Sequence, residues 1–129
     1  MSDALFATLQ QLLGAAHVQA GSDASAYLTD KQGRYTGQVI AAVHPANTDE
    51  VAAVVRACVA LDTPIVVQGG NTGLMGAATP DSSGRAVLLL LNRMNRVRTV
   101  DTDNDTRTCS KPPMMWPAKP VSKARSNRC

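Results

Sequence analysis

Aromatic side chains are scarce in this 129-residue sequence, at 3%, and charge of each sign is missing from one end of it. No Lys or Arg precedes Lys31, and no Asp or Glu follows Asp105. The first absence removes the charged start of a secretory signal and the Arg-rich pattern of a transit peptide, so a cytoplasmic protein is the expectation. The second splits the chain by composition. Residues 1–106 carry seven Lys/Arg against ten Asp/Glu, a balance of −3, whereas 107–129 carry six Lys/Arg and no acid. The overall +3 and the pI near 9.0 therefore belong to the tail. Long apolar runs are also absent. The longest, Ala86 to Leu91, is one strand's worth and far short of the roughly 20 residues that span a bilayer, which excludes a membrane-spanning helix. Three cysteines cannot all pair, and Cys58, Cys109 and Cys129 lack the spacing and the nearby histidines of a zinc site. Neither a disulfide framework nor a bound metal is expected.

What is present, 44% apolar residues, suffices for a core. In residues 1–24, Leu5, Leu9, Leu12 and Leu13 recur at helical spacing, with Ser2 as a cap and Gly14 as a stop, followed by a linker. The polar stretch from Gly21 to Gly37 reads as loop. Val39 to Val43 reads as a short buried strand. Asn47 then caps a helix, with Glu50 three positions on as the second half of a capping box, and Val51, Val54, Val55, Cys58 and Val59 form its apolar stripe. Within that stripe Cys58 reads as a small core residue and not as a reactive thiol. Asp62-Thr63-Pro64 ends the helix, and Ile65-Val66-Val67 is a β-branched run suited to a strand buried on both faces. Strand, helix, strand with short joints predicts a right-handed βαβ unit with parallel strands, hence an α/β (α+β) fold. Ala86 to Leu91 and Val97 to Val100 supply further strands. There is no internal repeat. From 107 onward Pro112-Pro113, Pro117 and Pro120 break any regular period, so 107–129 is expected to be disordered.

Four glycines in eight positions stand between two of these strands, in Gln68-Gly69-Gly70-Asn71-Thr72-Gly73-Leu74-Met75-Gly76. Glycine lets backbone amides approach a ligand with no Cβ in the way, which is what cradling a diphosphate requires. A P-loop is excluded, because no lysine occurs between Lys31 and Lys111. The nicotinamide dinucleotide fingerprint fails too, since the spacing from Gly70 is Gly-x-x-Gly-x-x-Gly and the next element is a strand. Spacing alone leaves a tight structural loop and a phosphate site equally open. His17 and His44 have no partner carboxylate or nucleophile at a recognisable spacing, so no catalytic residue is assigned. Tyr27 and Tyr35, in the loop before the first expected strand, remain undecided as ligand contacts.

The run from Pro64 to Leu74, preceded by Val43-His44-Pro45-Ala46-Asn47-Thr48-Asp49-Glu50-Val51, resembles the start of the FAD-binding domain of FAD-linked oxidases of the vanillyl-alcohol oxidase and p-cresol methylhydroxylase type. The form Gln-Gly-Gly-Asn-Thr-Gly-Leu resembles the D-2-hydroxy acid dehydrogenase branch, and the likeness is collinear over residues 25–106, through Leu89 to Val100 and Asp101 to Thr106. It implies a partial FAD-binding domain over 25–106. Gln68, Gly69, Gly70, Asn71, Thr72, Gly73 and Leu74 would wrap the FAD pyrophosphate with backbone amides, aided by the side chains of Asn71 and Thr72. Some members of the superfamily attach flavin through a histidine directly after the paired glycines. Asn71 stands there in this sequence, so FAD is expected to be non-covalent.

In the resembled family the flavin domain continues, and a separate domain then holds the small 2-hydroxy acid substrate. The resemblance thus makes this chain the front of an FAD-dependent oxidoreductase, inactive alone. The tail invites a genetic reading. Pro112-Pro113-Met114-Met115-Trp116-Pro117 must be encoded CCN-CCN-ATG-ATG-TGG-CCN. Its second frame meets a stop, while the third gives Asp-Val-Ala after two ambiguous codons, a run suited to the amphipathic helix expected next in the family. A frameshift near Arg107 is the expectation. Two rival readings differ in class: a non-catalytic α/β interaction or regulatory module, and a basic arm for nucleic acid in which Trp116 stacks on a base. The arm's charges are scattered among prolines with no recognition fold beside them, which argues against nucleic acid.

Overall fold

The computed structural model describes residues 2–104 and 106–109. Helix α1 spans Ser2–Leu13 and buries Leu5, Leu9 and Leu13, one face at a spacing of four. Leu12, expected on that face, is 43% exposed, because the turn of the helix carries it around toward solvent while Phe6 takes its place at the core. Gly14, at φ 86, ends the helix, its amide donating to the Gln10 carbonyl at 2.8 Å.

Strand β1, Val18–Ala20, follows and pairs antiparallel with β2, Val39–Val43. Between them the stretch expected to be loop is partly packed. Gly21–Tyr27 winds into 3-10 turns that bury Ala24 against one sheet face, and Thr29 bridges Thr36 across a tight turn. Most of the polar residues that mark this segment in the sequence are exposed or half-buried, with Asp30, at 5% exposure, the exception.

Helix α2, Thr48–Ala60, begins as its capping residues require: the Glu50 amide donates to Asn47 Oδ1 at 2.9 Å. The Glu50 carboxylate reaches back one residue further than a standard capping box, accepting from the Ala46 amide at 2.7 Å. Val54 and Cys58 are wholly buried, whereas Val55 and Val59 of the expected stripe are 38% and 72% exposed. The buried face is thus narrower than the apolar one. The helix ends at Ala60 with Leu61 as its cap, and Asp62, at φ 48, turns the chain so that the Thr63 amide donates to the Cys58 carbonyl at 2.9 Å.

Strand β3, Ile65–Gln68, and strand β4, Ala86–Leu90, complete a four-stranded sheet in the order β1-β2-β4-β3. Both β2 and β3 run parallel to β4, so the βαβ unit is present with β4 inserted between its two strands. That insertion corrects the expectation for Ile65-Val66-Val67. β4, with a neighbour on each side, has all five residues buried, while β3 is an edge with Val67 52% exposed. On one sheet face Ala41, Val43, Val87 and Leu89 meet Leu5, Leu9, Val54 and Cys58 of the helices. On the other, Ala42, Leu88 and Leu90 meet Ala24 and, partly buried, Tyr27 and Leu28. A bulge between Val39 and Ala41 resets the alternation of β2 between these two cores.

Strands β5, Val97–Asp101, and β6, Thr106–Cys109, form a separate antiparallel pair. The pair crosses the composition break expected at residue 107. Residues 110–129, with the remainder of the expected disordered tail, lie outside the described residues. Among the described residues no helix is long and apolar enough to cross a membrane.

Candidate functional site

The glycine-rich loop leaves the C-terminal end of β3, the end of a parallel sheet where α/β folds gather their ligand sites. Gln68, the last residue of β3, is 1% exposed, and its Nε2 donates to the carbonyls of Tyr27 and Ala78, each at 2.9 Å. Both amide hydrogens are engaged, so the side chain is a strut between the start and the end of the loop. Asn71 takes a left-handed conformation, φ 52, and its Nδ2 donates to the Thr29 carbonyl at 2.9 Å. Asn is one of the few non-glycine residues that accepts this conformation readily. Beyond it Thr72, Gly73, Leu74 and Met75 are exposed, Met75 to 87%.

The backbone between these anchors is what a phosphate needs. Among the described residues no amide from Asn71 to Ala78 donates to a protein acceptor, although Thr79 closes the loop with a 3.0 Å bond to the Gly76 carbonyl. A Cβ added at Gly69 or Gly73 would meet nothing within 4 Å, so the space beside both is open to a ligand. Successive backbone amides left unpaired in a tight, glycine-rich loop are the donors from which a concavity for anionic oxygen is built. The residues present therefore fit a diphosphate.

Sequence reasoning missed what holds this loop. Segment 27–38 grips it at every stage, through the Tyr27 and Thr29 carbonyls, through Arg34 Nη2 donating to the Leu74 carbonyl at 2.6 Å, and through the Tyr35 ring against Gly76. Gly76, at φ 72, has no room for a Cβ, which would lie 2.9 Å from Tyr35 Cδ2. Asp30 shapes the segment. Its Oδ1 accepts from the amides of Arg34 and Tyr35 at 2.6 and 2.9 Å, and these bonds, chiefly that from Tyr35, hold its carboxyl below the usual carboxylate range. The signal in the sequence was Asp30-x-x-Gly33-Arg34-Tyr35-x-Gly37, a turn pattern with no visible partner.

The other candidates fall elsewhere. His44 is 7% exposed at the end of β2, with Nδ1 3.0 Å from Asn92 Oδ1, the Tyr27 ring edge-on at 5.8 Å, and Nε2 buried with no partner. Arg93 donates to its carbonyl at 2.8 Å. His17 lies beside it through a 2.9 Å backbone bond from His44, toward the sheet edge opposite β3. Cys58 sits in the helix–sheet core, where burial pushes its thiol up, as expected of a core residue. Among the described residues no group of His, Cys, Asp or Glu is arranged to hold a metal ion.

A mixed α/β sheet, parallel over β2, β4 and β3, that opens at a strand end into a loop of unpaired amides is an arrangement suited to a phosphorylated cofactor. The chain belongs to the FAD binding domain family, whose model matches residues 39–110, and FAD is the cofactor that membership implies. It is 33% identical over 82 residues to the glycolate oxidase subunit GlcD of Bacillus subtilis, covering 64% of this chain and 17% of that protein. It is 33% identical over 91 residues to a D-2-hydroxyglutarate–pyruvate transhydrogenase of Saccharomyces cerevisiae, covering 70% and 18%. The chain thus spans less than a fifth of the length of these curated relatives. Among solved structures it superposes on p-cresol methylhydroxylase with a TM-score of 0.63 at 25% identity, over 77% of this chain and 20% of that one. Alkyldihydroxyacetonephosphate synthase shares the fold, with a TM-score of 0.66 at 21% identity over 81% and 22%.

Proposed function

We propose that residues 68–78 bind the diphosphate of FAD non-covalently, as part of an oxidoreductase acting on a D-2-hydroxy acid. The observation that carries the reading is the row of unpaired amides from Asn71 to Ala78, opening beside Gly69 and Gly73. Relatives named as glycolate oxidase, D-lactate dehydrogenase and D-2-hydroxyglutarate dehydrogenase support the substrate class. Bound flavin would supply the acceptor for the electrons of the hydroxy-acid carbon. The residues of this chain have a narrower task. The amides of Gly69 to Leu74 orient the diphosphate, Asn71 fixes the bend of the loop, and Gln68 holds the loop's two ends at the sheet. Asn71 stands where a covalent link would need a nucleophile, and an amide cannot serve as one.

Substrate oxidation also requires a base aligned with the reacting carbon, and none is assigned to the described residues. In this reading the chain contributes cofactor binding, and the substrate-holding groups belong to the remainder of a full-length family member. Titrating the purified chain with FAD and following flavin fluorescence tests the proposal. Saturable quenching, with all flavin released by acid precipitation, supports it. Unchanged fluorescence, or flavin retained in the precipitate, refutes FAD binding or its non-covalent form respectively.

A further inference from the structure

The glycine loop carries no charge of its own. From Gln68 to Pro80 there is neither Lys nor Arg, and a diphosphate brings two negative charges to it. The cation tied to the loop comes from 40 residues earlier, where Arg34 Nη2 donates to the Leu74 carbonyl at 2.6 Å. A guanidinium has five N–H donors in a rigid fork, and the Leu74 carbonyl takes one. Among the described residues no other protein acceptor meets the rest of the Arg34 fork. Arg34 is exposed, as are Thr72 and Gly73, which directly precede the Leu74 it bonds.

Arg34 is also held in place from behind. Asp30 Oδ1 accepts from its backbone amide at 2.6 Å, and its guanidinium carbon lies 5.8 Å from the centre of the Tyr35 ring. Gly37 closes the segment against the loop's far end, where the Gln38 amide donates to the Asp81 carbonyl at 2.8 Å. A Cβ on Gly37 would collide with the Pro80 carbonyl, so the two segments are in direct backbone contact there. These residues precede the 39–110 match to the family model.

Building on the proposed FAD site, we infer that Arg34, preset by Asp30, is a diphosphate-binding residue: it supplies the positive charge the glycine loop lacks and fixes the loop's outer rim. A bidentate Arg on phosphate oxygens gives both charge compensation and orientation. The ligand feature it recognises is the diphosphate, so its contribution is common to FAD and ADP and absent for riboflavin.

The test uses the full chain, wild type and Arg34→Gln and Arg34→Lys, titrated with FAD, ADP and riboflavin by calorimetry at low and moderate salt. Loss of a charge-assisted contact predicts FAD and ADP affinities about tenfold to hundredfold weaker in Arg34→Gln. Riboflavin affinity should be unchanged, Arg34→Lys should recover part of the loss, and the salt dependence of FAD binding should be shallower in Arg34→Gln than in wild type. An Arg34→Gln affinity for FAD within about twofold of wild type overturns the inference while leaving the FAD reading intact. An equal loss for riboflavin reduces Arg34 to a structural role and also overturns it. A wild-type chain that binds neither FAD nor ADP refutes the site itself, and the inference with it.

Discussion

Replacing Gln68 by Leu keeps the volume of a buried side chain and removes the two hydrogen bonds that close the glycine loop on the sheet. In the native structure Nε2 satisfies the Tyr27 and Ala78 carbonyls, each at 2.9 Å, from a side chain that is 1% exposed. Each bond contributes about 1 kcal/mol net, and each carbonyl left buried without a donor costs about 1–3 kcal/mol. The loop is at the surface, so water reaches part of the defect, and the expected destabilisation is about 2–4 kcal/mol. For a domain near 100 residues, about 4–8 °C per kcal/mol translates this into a fall of at least about 8 °C in Tm. Urea unfolding followed by circular dichroism gives the free energy, and differential scanning calorimetry the midpoint. Gln68→Glu serves as a comparison, because it preserves shape and replaces the donor by an acceptor facing two carbonyls. It should be at least as damaging as Gln68→Leu. A loss below about 1 kcal/mol in both variants would refute the role of Gln68 as a strut and return it to the set of residues free to meet a ligand.

Three further outcomes follow from the same geometry. Asn71→Gly keeps access to φ 52 and loses only the bond to Thr29, about 1 kcal/mol, whereas Asn71→Ala adds about 1–2 kcal/mol of left-handed strain, so the order of chemical-denaturation midpoints should be wild type, Gly, Ala. Asp30, Asp81 and Asp101 all have carboxyls held below the usual range, by the Tyr35 amide, by Ser83 and by Asn104 respectively. Their contribution is complete above the unfolded-state value of about 4 and is lost as pH falls through the lower folded values; acid titrations of stability should show this decline, and Asp30→Asn should make it shallower. Cys58, with its thiol pushed up by burial, should resist a thiol reagent under native conditions and react on unfolding, and its contribution should be lost as pH rises past about 8.5. Rapid native labelling would contradict the packing of α2 on the sheet.

Much of this fold is legible because local and tertiary demands agree. The Asn47 and Glu50 pair marks the start of α2 by chemistry that acts within four residues, and the run Ala86 to Leu90 is apolar throughout because both of its faces are covered. Val97 to Val100 likewise appears as a strand in β5. The failures are the places where a distant partner decides. Val18–Ala20 is a strand only because Val43, Ala42 and Ala41 lie alongside it. Ile65 to Val67 has the composition of a central strand but takes an edge, because β4, later in the chain, enters between it and β2. Leu12, Val55 and Val59 have the apolar character of a core and lie outside it.

The site divides in the same way. The spacing and glycine content of 69–76 reveal a loop built for close backbone approach, and the resemblance to flavin domains names the ligand. Which side chains stay free for that ligand is not local information. Of the residues read as cofactor contacts, Gln68 donates both amide hydrogens to the Tyr27 and Ala78 carbonyls, whereas Asn71 gives one of its two to the Thr29 carbonyl, 42 residues earlier. Arg34, outside every motif, is joined to the loop across 40 residues. A polar turn with an Asp and two glycines gives no sign of its partner until the chain is folded.

The central claim is that FAD binds through backbone amides of the glycine loop, and its most direct test is residue-resolved. Amide shifts of the isotopically labelled chain, recorded by nuclear magnetic resonance during titration with FAD and separately with ADP, should move most for Gly69 to Gly76 in both series, with Arg34 responding at its side chain. Shifts centred elsewhere, such as around His44 and Asn92, or no saturable shift in the loop, would contradict the account.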